Sequence, residues 1–235
     1  MKAFVRSGLA AWCVALVSWA ASVSAGDRDI KPPAAEATCV TYDAVYENAP
    51  MMAVKPPQGE LRVYLQKTAT PCPASGACAQ RQKAFLVEGD QVFASQEKNG
   101  FRCAYYGTAG GQLIAGFLPA RSLAPLKEET GLTPEFLAGA WNDSGDTVSF
   151  SAAGGGKVHA SGTATWQGMN KDDVHDGEFD AQAMASGSEA VFKDDACEVH
   201  VRRRGNYLVL DDNSVCGGMN VRFMGIYVRK HPAVR

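Results

Sequence analysis

The residues of this sequence with the richest potential chemistry lie in the acidic stretch 171–180. Its carboxylates are those of Asp172, Asp173, Asp176, Glu178 and Asp180, and His175 lies among them. Calcium binds carboxylate oxygens, but Val174 stands where an EF-hand loop would need a ligand. The composition favours a solvated acidic loop first and contact with another protein second. We therefore take Asp172, Asp173, His175 and Asp176 as candidate protein-binding residues and expect no metal.

The rest of the chain gives little support for the enzyme classes that are recognised by a short sequence motif. The histidines are scattered and form no spaced set that would hold zinc. They are His159, His175, His200 and His231. The run Gly154-Gly155-Gly156-Lys157 is followed by Val158 instead of the Ser or Thr of a phosphate loop, so it predicts a hairpin turn. No Gly-x-Ser-x-Gly elbow occurs. We predict surface histidines, no catalytic residues, no cofactor and no enzymatic activity.

The beginning of the chain has the features of an export signal. Lys2 and Arg6 precede an uncharged apolar stretch, and a small-residue cleavage site ends at Ala25. We predict a signal peptide over 1–25, a flexible lead over 26–38 and a periplasmic or secreted product. The apolar stretch is shorter than the roughly 20 residues that cross a bilayer, so no membrane span is expected.

The cysteines also indicate export. Cys13 falls in the predicted signal peptide, and six cysteines remain, which in an exported chain are best explained as three disulfides. Cys197 and Cys216 have no other candidate partner in their half of the chain. The other four allow three pairings, of which we favour Cys72 with Cys78 and Cys39 with Cys103.

Short apolar runs between turn signals predict an all-β first domain over 39–126. Asn99-Gly100 is the clearest hairpin signal, because both residues adopt positive φ at low cost. Residues 87–123 resemble the second half of bacterial SH3-like (SH3b) domains. The resemblance is carried by Gly89-Asp90-Gln91-Val92, Asn99-Gly100-Phe101, Tyr105-Tyr106 and Gly116-Phe117-Leu118.

The resemblance covers roughly residues 60–126 and implies a small, non-enzymatic barrel of the kind attached to envelope proteins. In such a barrel the aromatic residues lie partly in the core and partly in a groove. We take Tyr64, Tyr105 and Tyr106 as candidate binding residues. Tyr105 and Tyr106 are adjacent, so they face opposite sides of their strand and one of them is expected to be exposed.

A charged linker over 127–131 is predicted to lead into a second β domain over 132–235. Thr133 and Pro134 have the spacing of a helix N-cap and first helical residue. Residues 157–166 alternate strictly, which predicts a half-buried antiparallel strand. The basic run Arg202-Arg203-Arg204 predicts a solubilising turn.

The opening Leu137-Ala-Gly139-Ala-Trp141 of this domain resembles the first strand of calycin barrels, the lipocalin and avidin architecture. The resemblance implies an antiparallel β-barrel, and a two-sheet sandwich fits the same strand pattern. Trp166, on the alternating strand, is a further candidate binding residue.

Charge is divided unevenly between the two halves. Residues 26–131 hold 11 basic and 11 acidic residues, whereas residues 132–235 hold 10 and 14, so the second half carries a net charge of −4. The basic surface of a nucleic-acid-binding protein is absent. An acidic exported protein would meet basic partners quickly.

These observations favour an exported, non-enzymatic binding protein of the bacterial envelope, which binds peptidoglycan or inhibits a basic wall-degrading enzyme. The alternatives are a small-molecule carrier that uses the second barrel, with Trp141 or Trp166 in its pocket, and an envelope enzyme without a recognisable signature.

Overall fold

The computed structural model describes Cys39 and residues 49–73 and 78–230. The predicted signal peptide, the predicted lead and His231 lie outside these residues. The described chain is almost entirely β-structure, arranged in two antiparallel sheets, so the predicted all-β class is confirmed. No helix within the described ranges is long and apolar enough to cross a membrane.

The first sheet has seven short strands. They are β1 (Met51–Val54), β2 (Val63–Gln66), β3 (Arg81–Leu86), β4 (Gln91–Ala94), β5 (Phe101–Gly107), β6 (Leu113–Pro119) and β7 (Leu123–Pro125). Their order across the sheet is β3-β2-β6-β5-β4-β1-β7. A single 3-10 turn, Ala120–Ser122, leads into β7.

The predicted hairpin at Asn99-Gly100 is confirmed. Lys98 and Phe101 exchange backbone hydrogen bonds of 2.8 and 3.0 Å around it. Asn99 has a φ of 54° and Gly100 a φ of 78°, the left-handed pair that a two-residue turn requires.

The second sheet has eight strands and is preceded by one short helix, α1 (Pro134–Leu137). The strands are β8 (Gly139–Asp143), β9 (Asp146–Gly154), β10 (Lys157–Gln167), β11 (Val174–Met184), β12 (Glu189–Asp194), β13 (Cys197–Arg204), β14 (Tyr207–Asp212) and β15 (Gly225–Arg229). Their order, β11-β10-β9-β8-β15-β14-β13-β12, places the consecutive strands β11 and β12 at the two edges.

These two edges approach each other, so the sheet curls into a nearly closed barrel. The backbone N–H of Asp180 on β11 donates across the seam to Asp194 Oδ2 on β12, at 2.9 Å. Of the two architectures expected for this half of the chain, the barrel is the one found. The predicted alternation over 157–166 is also confirmed, because β10 buries Val158, Ala160 and Ala164 in the barrel.

The barrel interior is filled by side chains. Phe150 packs against Phe192 at a ring-centroid distance of 5.6 Å, and Phe179 meets Phe223 edge-on at 4.9 Å. Gly162 is required beside them, because a Cβ there would lie 2.4 Å from a ring carbon of Phe179. The barrel therefore has a dense core.

Helix α1 packs against this core as the sequence predicts. Thr133 caps it, with its Oγ1 accepting from the N–H of Phe136 at 3.1 Å. Leu137 is fully buried, and its carbonyl accepts from the indole N–H of Trp141 at 2.8 Å. The guanidinium of Arg229 lies 4.4 Å from the Trp141 ring centroid, so this indole is enclosed on several sides.

The three expected disulfides are confirmed. Their Cα–Cα distances are 5.3 Å for Cys39–Cys103, 5.2 Å for Cys72–Cys78 and 4.6 Å for Cys197–Cys216. The last pair fastens the segment that follows β14 to the start of β13.

The first sheet packs against the outside of the barrel at β14 and β15. Tyr207, Val209, Ile226 and Val228 project out of the barrel into a cluster that includes Phe93 of the first sheet. Alternate residues of the same two strands point into the barrel core. Strands β14 and β15 are therefore buried on both faces.

Tyr207 connects the two sheets through its hydroxyl, which donates to Gln91 O at 2.6 Å and accepts from the N–H of Gly107 at 3.1 Å. Burial raises the pKa of this phenol well above its usual value, so it stays a donor.

The residues of the predicted linker make charged contacts with the β13–β14 hairpin. Arg204 Nη2 donates to Glu128 Oε1 at 2.8 Å and to Ala49 O at 3.0 Å. Glu128 Oε1 also accepts from the N–H of Met51 at 3.3 Å. The hydrogen bond from Arg204 holds the pKa of Glu128 below its usual value, and its charge and Met51 act in the same direction.

The prediction that Arg202–204 is only a solubilising turn is therefore wrong for two of the three residues. Arg203 pairs with Glu129 and stacks on Phe136, with 3.8 Å from its guanidinium carbon to the ring centroid. Arg204 and Glu128 are about one-fifth exposed, at 20% and 22%. Both arginines fasten the linker to the barrel.

We predict that Arg204→Met lowers the free energy of unfolding by about 2 kcal/mol, because it leaves a half-buried carboxylate without its cation. Urea unfolding measures this change. Arg202→Met on the same strand is the matched control and should stay within about 0.5 kcal/mol of wild type. Equal effects of the two substitutions would contradict the role assigned to Arg204.

Candidate functional site

Most of the acidic stretch 171–180 belongs to a strand. Strand β11 begins at Val174, so the expected acidic loop is limited to the residues before it, and the prediction of a loop is wrong beyond that point. His175, Gly177 and Phe179 point towards the barrel, whereas Asp176, Glu178 and Asp180 point outward. The alternation is present in the sequence, but the small and charged residues hide it.

Two outward carboxylates of β11, those of Asp176 and Glu178, line an open groove at the barrel seam. Across the seam lie Asp194 and Asp195, at the end of β12 and in the turn to β13. The groove encloses about 920 Å³ and has Thr163 and Thr165 of β10 on its wall. We call the surface formed by Asp176, Glu178, Asp194 and Asp195 the acidic groove.

A smaller depression of about 390 Å³ continues the acidic groove over the outside of β9 and β10. Hydroxyl groups line it, from Thr147, Ser149 and Ser161. Asp180 marks its far side, with its Oδ1 2.7 Å from His159 Nε2. The combined surface offers acceptors and hydroxyl donors over a wide area.

No lysine or arginine lines either depression among the described residues. Lys193, on β12, is turned to Glu198, with an Nζ–Oε1 distance of 2.7 Å. Asp176 accepts a hydrogen bond of 2.9 Å from the Thr165 hydroxyl, which leaves its charge uncompensated. The acidic groove therefore carries a strongly negative potential.

The segment 213–224 forms one border of the acidic groove, and the Cys197–Cys216 disulfide holds it there. Gly217 forms a β-bridge with Gly177 on β11. This contact requires glycine, because a Cβ on Gly177 would lie 2.5 Å from the Cys216 carbonyl oxygen. The border of the groove is thus fixed by the chain itself.

Exposed apolar side chains surround this end of the barrel. They are Met169, Val174, Val215 and Met219, from the β10–β11 loop, the start of β11 and the segment 213–224. Val215 also lines the acidic groove. Apolar side chains beside a charged surface are typical of protein-binding sites.

Three of the sequence-predicted site residues form a cluster at the barrel end that carries these exposed apolar side chains. The ring centroids of Trp166 and His175 lie 5.5 Å apart, and His175 Nε2 is 3.0 Å from Asp173 Oδ1. Asp172 lies exposed in the preceding loop, and Asp176 faces the acidic groove instead. The predicted set is therefore divided between two neighbouring surfaces.

The candidate tyrosines of the first sheet take three different positions. Tyr105 is fully buried, so it can support a site only from within the core. Tyr106 is half-buried, and its hydroxyl lies 3.5 Å from Asp90 Oδ1. Tyr64 lines a separate cavity, and the guanidinium of Arg81 lies over its ring in a cation–π contact.

Sequence reasoning missed a group of buried polar residues at the barrel end that holds the β8–β9 turn. Asp143 and Asp212 are each 7% exposed, and the Tyr227 hydroxyl is buried without a hydrogen-bond partner in the described part of the chain. Burial, and then the neighbouring carboxylates, raise the pKa of Tyr227 well above its usual value. Two acids around a Ser-Gly turn, Asp143 and Asp146, were the only signal available.

The pKa values of Asp143 and Asp146, the two acids of the β8–β9 turn, are both raised. Burial raises the pKa of Asp143 to about 6, and the charge of Asp146 contributes. Hydrogen bonds from the Ser144 hydroxyl and the N–H of Ile226 oppose the shift. Burial raises the pKa of Asp146 as well.

Across Cys39 and residues 49–73 and 78–230, no group of three or more His, Cys, Asp or Glu residues is arranged to hold a metal ion. In comparisons with known proteins, the chain matches no family model, no curated protein and no solved structure.

Asp143 is expected to make stability depend on pH. Its folded-state pKa lies above the unfolded value, so the folded protein binds the proton more tightly, and stability falls as pH rises from about 4 to about 6. Asp143→Asn lacks this titrating carboxyl. We predict that its free energy of unfolding relative to wild type rises by about 3 kcal/mol between pH 4 and pH 7.

Urea unfolding at a series of pH values tests this expectation. Asp172→Asn, in an exposed loop, is the control and should follow the wild-type profile. An Asp143→Asn profile parallel to wild type would show that this carboxyl does not titrate as described.

Proposed function

We propose that the protein is an exported, non-enzymatic binding protein of the bacterial envelope, periplasmic or secreted, and that its acidic groove docks a basic protein. A wall-degrading enzyme is the partner class we favour, and its inhibition is the consequence. The observation that carries the proposal is the convergence of four carboxylates from β11, the end of β12 and the β12–β13 turn on one open groove with no lysine or arginine in its lining.

The shape of the acidic groove favours a macromolecular partner over a small ligand. It is open to solvent, and exposed apolar side chains such as Val215 and Met219 lie beside it. Apolar side chains supply most of the affinity at an interface, whereas charge supplies the rate of encounter and the choice of partner. A basic protein with an apolar patch next to its positive surface would satisfy both.

The rigid border of the groove also suits binding. The disulfide Cys197–Cys216 and the Gly177–Gly217 bridge hold the segment 213–224 in place before a partner arrives. A surface that is already ordered loses less conformational entropy on association. The three disulfides themselves are typical of exported proteins.

Two other expectations have weaker support. Peptidoglycan peptides bear carboxylates, which the acidic groove would repel. A small-molecule carrier needs space inside the barrel, but Phe150, Phe179 and Phe192 fill it and Trp141 is fully buried. Docking of a basic protein on the outside of the barrel agrees best with these contacts.

We predict that Glu178→Gln combined with Asp195→Asn weakens binding to lysozyme, used as a basic wall-degrading probe, by about five- to tenfold. Neither carboxylate has a hydrogen-bond or ion-pair partner in the described ranges, so folding should be unaffected. Isothermal titration calorimetry at low and moderate salt measures the change, and the variant should show the weaker dependence on salt.

Glu88→Gln combined with Glu135→Gln is the matched control. It removes the same two charges from exposed positions outside the groove, and it should bind as wild type does. Equal weakening by both pairs would mean that only net charge matters. Failure of the wild-type protein to bind lysozyme or to slow its lysis of cell walls would remove support for this partner class.

A further inference from the structure

A second cavity, of about 680 Å³, lies on the first sheet and is basic where the barrel groove is acidic. Strand β2 supplies Tyr64 and Gln66, and Arg62 immediately precedes that strand. Arg81 comes from the start of β3 and Arg121 from the 3-10 turn before β7. We call the cavity lined by these five residues the arginine cavity.

The guanidinium groups of the arginine cavity have unused donors. Arg62, Arg81 and Arg121 make no hydrogen bond or ion pair to the described residues. Five other arginines are paired with carboxylates or carbonyls, namely Arg102, Arg203, Arg204, Arg222 and Arg229, whereas Arg202 lies outside the cavity and also has no such partner in the described ranges. The three arginines outnumber the carboxylates of the cavity lining, so a bound anion would balance the excess positive charge.

Two of these guanidinium groups are held by aromatic rings. The Arg81 guanidinium carbon lies 4.7 Å from the Tyr64 ring centroid, and that of Arg62 lies 4.2 Å from the Phe85 centroid. The two rings are themselves 5.8 Å apart. Stacking occupies the face of a guanidinium and leaves its edge free, and that edge is the part that binds a carboxylate in a bidentate manner.

An unpaired amide lies in the same cavity. Gln66 is only 7% exposed, and its Oε1 is buried with no hydrogen-bond partner among the residues described. A buried amide oxygen without a donor is unfavourable, because it has given up its hydrogen bonds to water. A ligand that brings an N–H to this oxygen would satisfy it.

The charge of the lining favours a monoanion. Glu60 and Glu97 also line the cavity, so its three arginines leave a net charge of +1. Glu97 lies 3.9 Å from Arg102, at the limit of an ion pair. One carboxylate balances this charge, whereas a phosphate dianion exceeds it.

We propose that the arginine cavity binds the carboxylate end of a peptide. The guanidinium edges of Arg81 and Arg121 hold the terminal carboxylate, and Gln66 Oε1 accepts the N–H of the last peptide bond. The site lies on the first sheet and does not depend on the acidic groove or on the partner assigned to it.

The test is an NMR titration of the whole ¹⁵N-labelled protein with N-acetyl-alanyl-alanine, its C-terminal amide, acetate and inorganic phosphate. The free acid should shift the Gln66 side-chain and arginine Nε signals in a saturable manner, and the other three probes should bind at least tenfold more weakly. Arg81→Gln and Arg121→Gln should each lower the affinity for the free acid at least fivefold. Arg202→Gln, which replaces an arginine outside the cavity, should leave that affinity unchanged.

Gln66→Met separates a ligand-binding role from a purely structural one. It removes an unsatisfied buried polar atom, so unfolding should require more urea, while the affinity for the free acid falls at least fivefold. The proposal is overturned if the acid and its amide bind equally, if phosphate binds as well as the acid, or if no probe saturates. It is also overturned if Arg81→Gln binds as wild type.

Discussion

The burial of strands β14 and β15 on both faces is the constraint on which the rest of the structure depends. In the run Tyr207-Leu208-Val209-Leu210, two side chains enter the barrel core and two enter the cluster shared with the first sheet. A strand that is apolar on both faces must be covered on both. The barrel alone covers one face of these strands, and the first sheet covers the other.

The same constraint explains where the charged linker lies. Once the sheets are in contact at β14, the β13–β14 hairpin comes next to residues 128–131, and Arg203 and Arg204 meet Glu129 and Glu128 there. The hydroxyl of Tyr207 hydrogen-bonds to backbone atoms of the first sheet, so the apolar contact between the sheets also contains hydrogen bonds. Nonpolar burial supplies most of the free energy of such a contact, and the polar bonds fix its geometry.

Local signals in the sequence were sufficient for much of the fold. The turn at Asn99-Gly100, the cap at Thr133, the alternation of β10 and the three disulfide pairs each depend on residues near one another in the chain or on a small number of choices. Strand β11 was missed because glycine and acidic residues obscure its period of two.

The sites depend on contacts that no local pattern contains. Asp194 and Asp195 join Asp176 and Glu178 because the barrel brings its two edge strands, β11 and β12, next to each other. Arg121 meets Arg62 and Arg81 only because β6 pairs with β2 in the first sheet. Sequence composition revealed an acidic second half, but it could not reveal that a basic cavity lies on the other half.

The seam of the barrel also presents charge where a sheet would otherwise offer bare strand edges. Strands β11 and β12 end the order of the second sheet and bring two strand edges together at one place. Unpaired edges invite pairing with another copy of the same chain, and charged side chains discourage it. The carboxylates of the acidic groove stand along this seam, so two copies that approached each other there would meet charge of the same sign. Like charge along the seam therefore opposes edge-to-edge pairing of two copies while leaving the seam open to solvent.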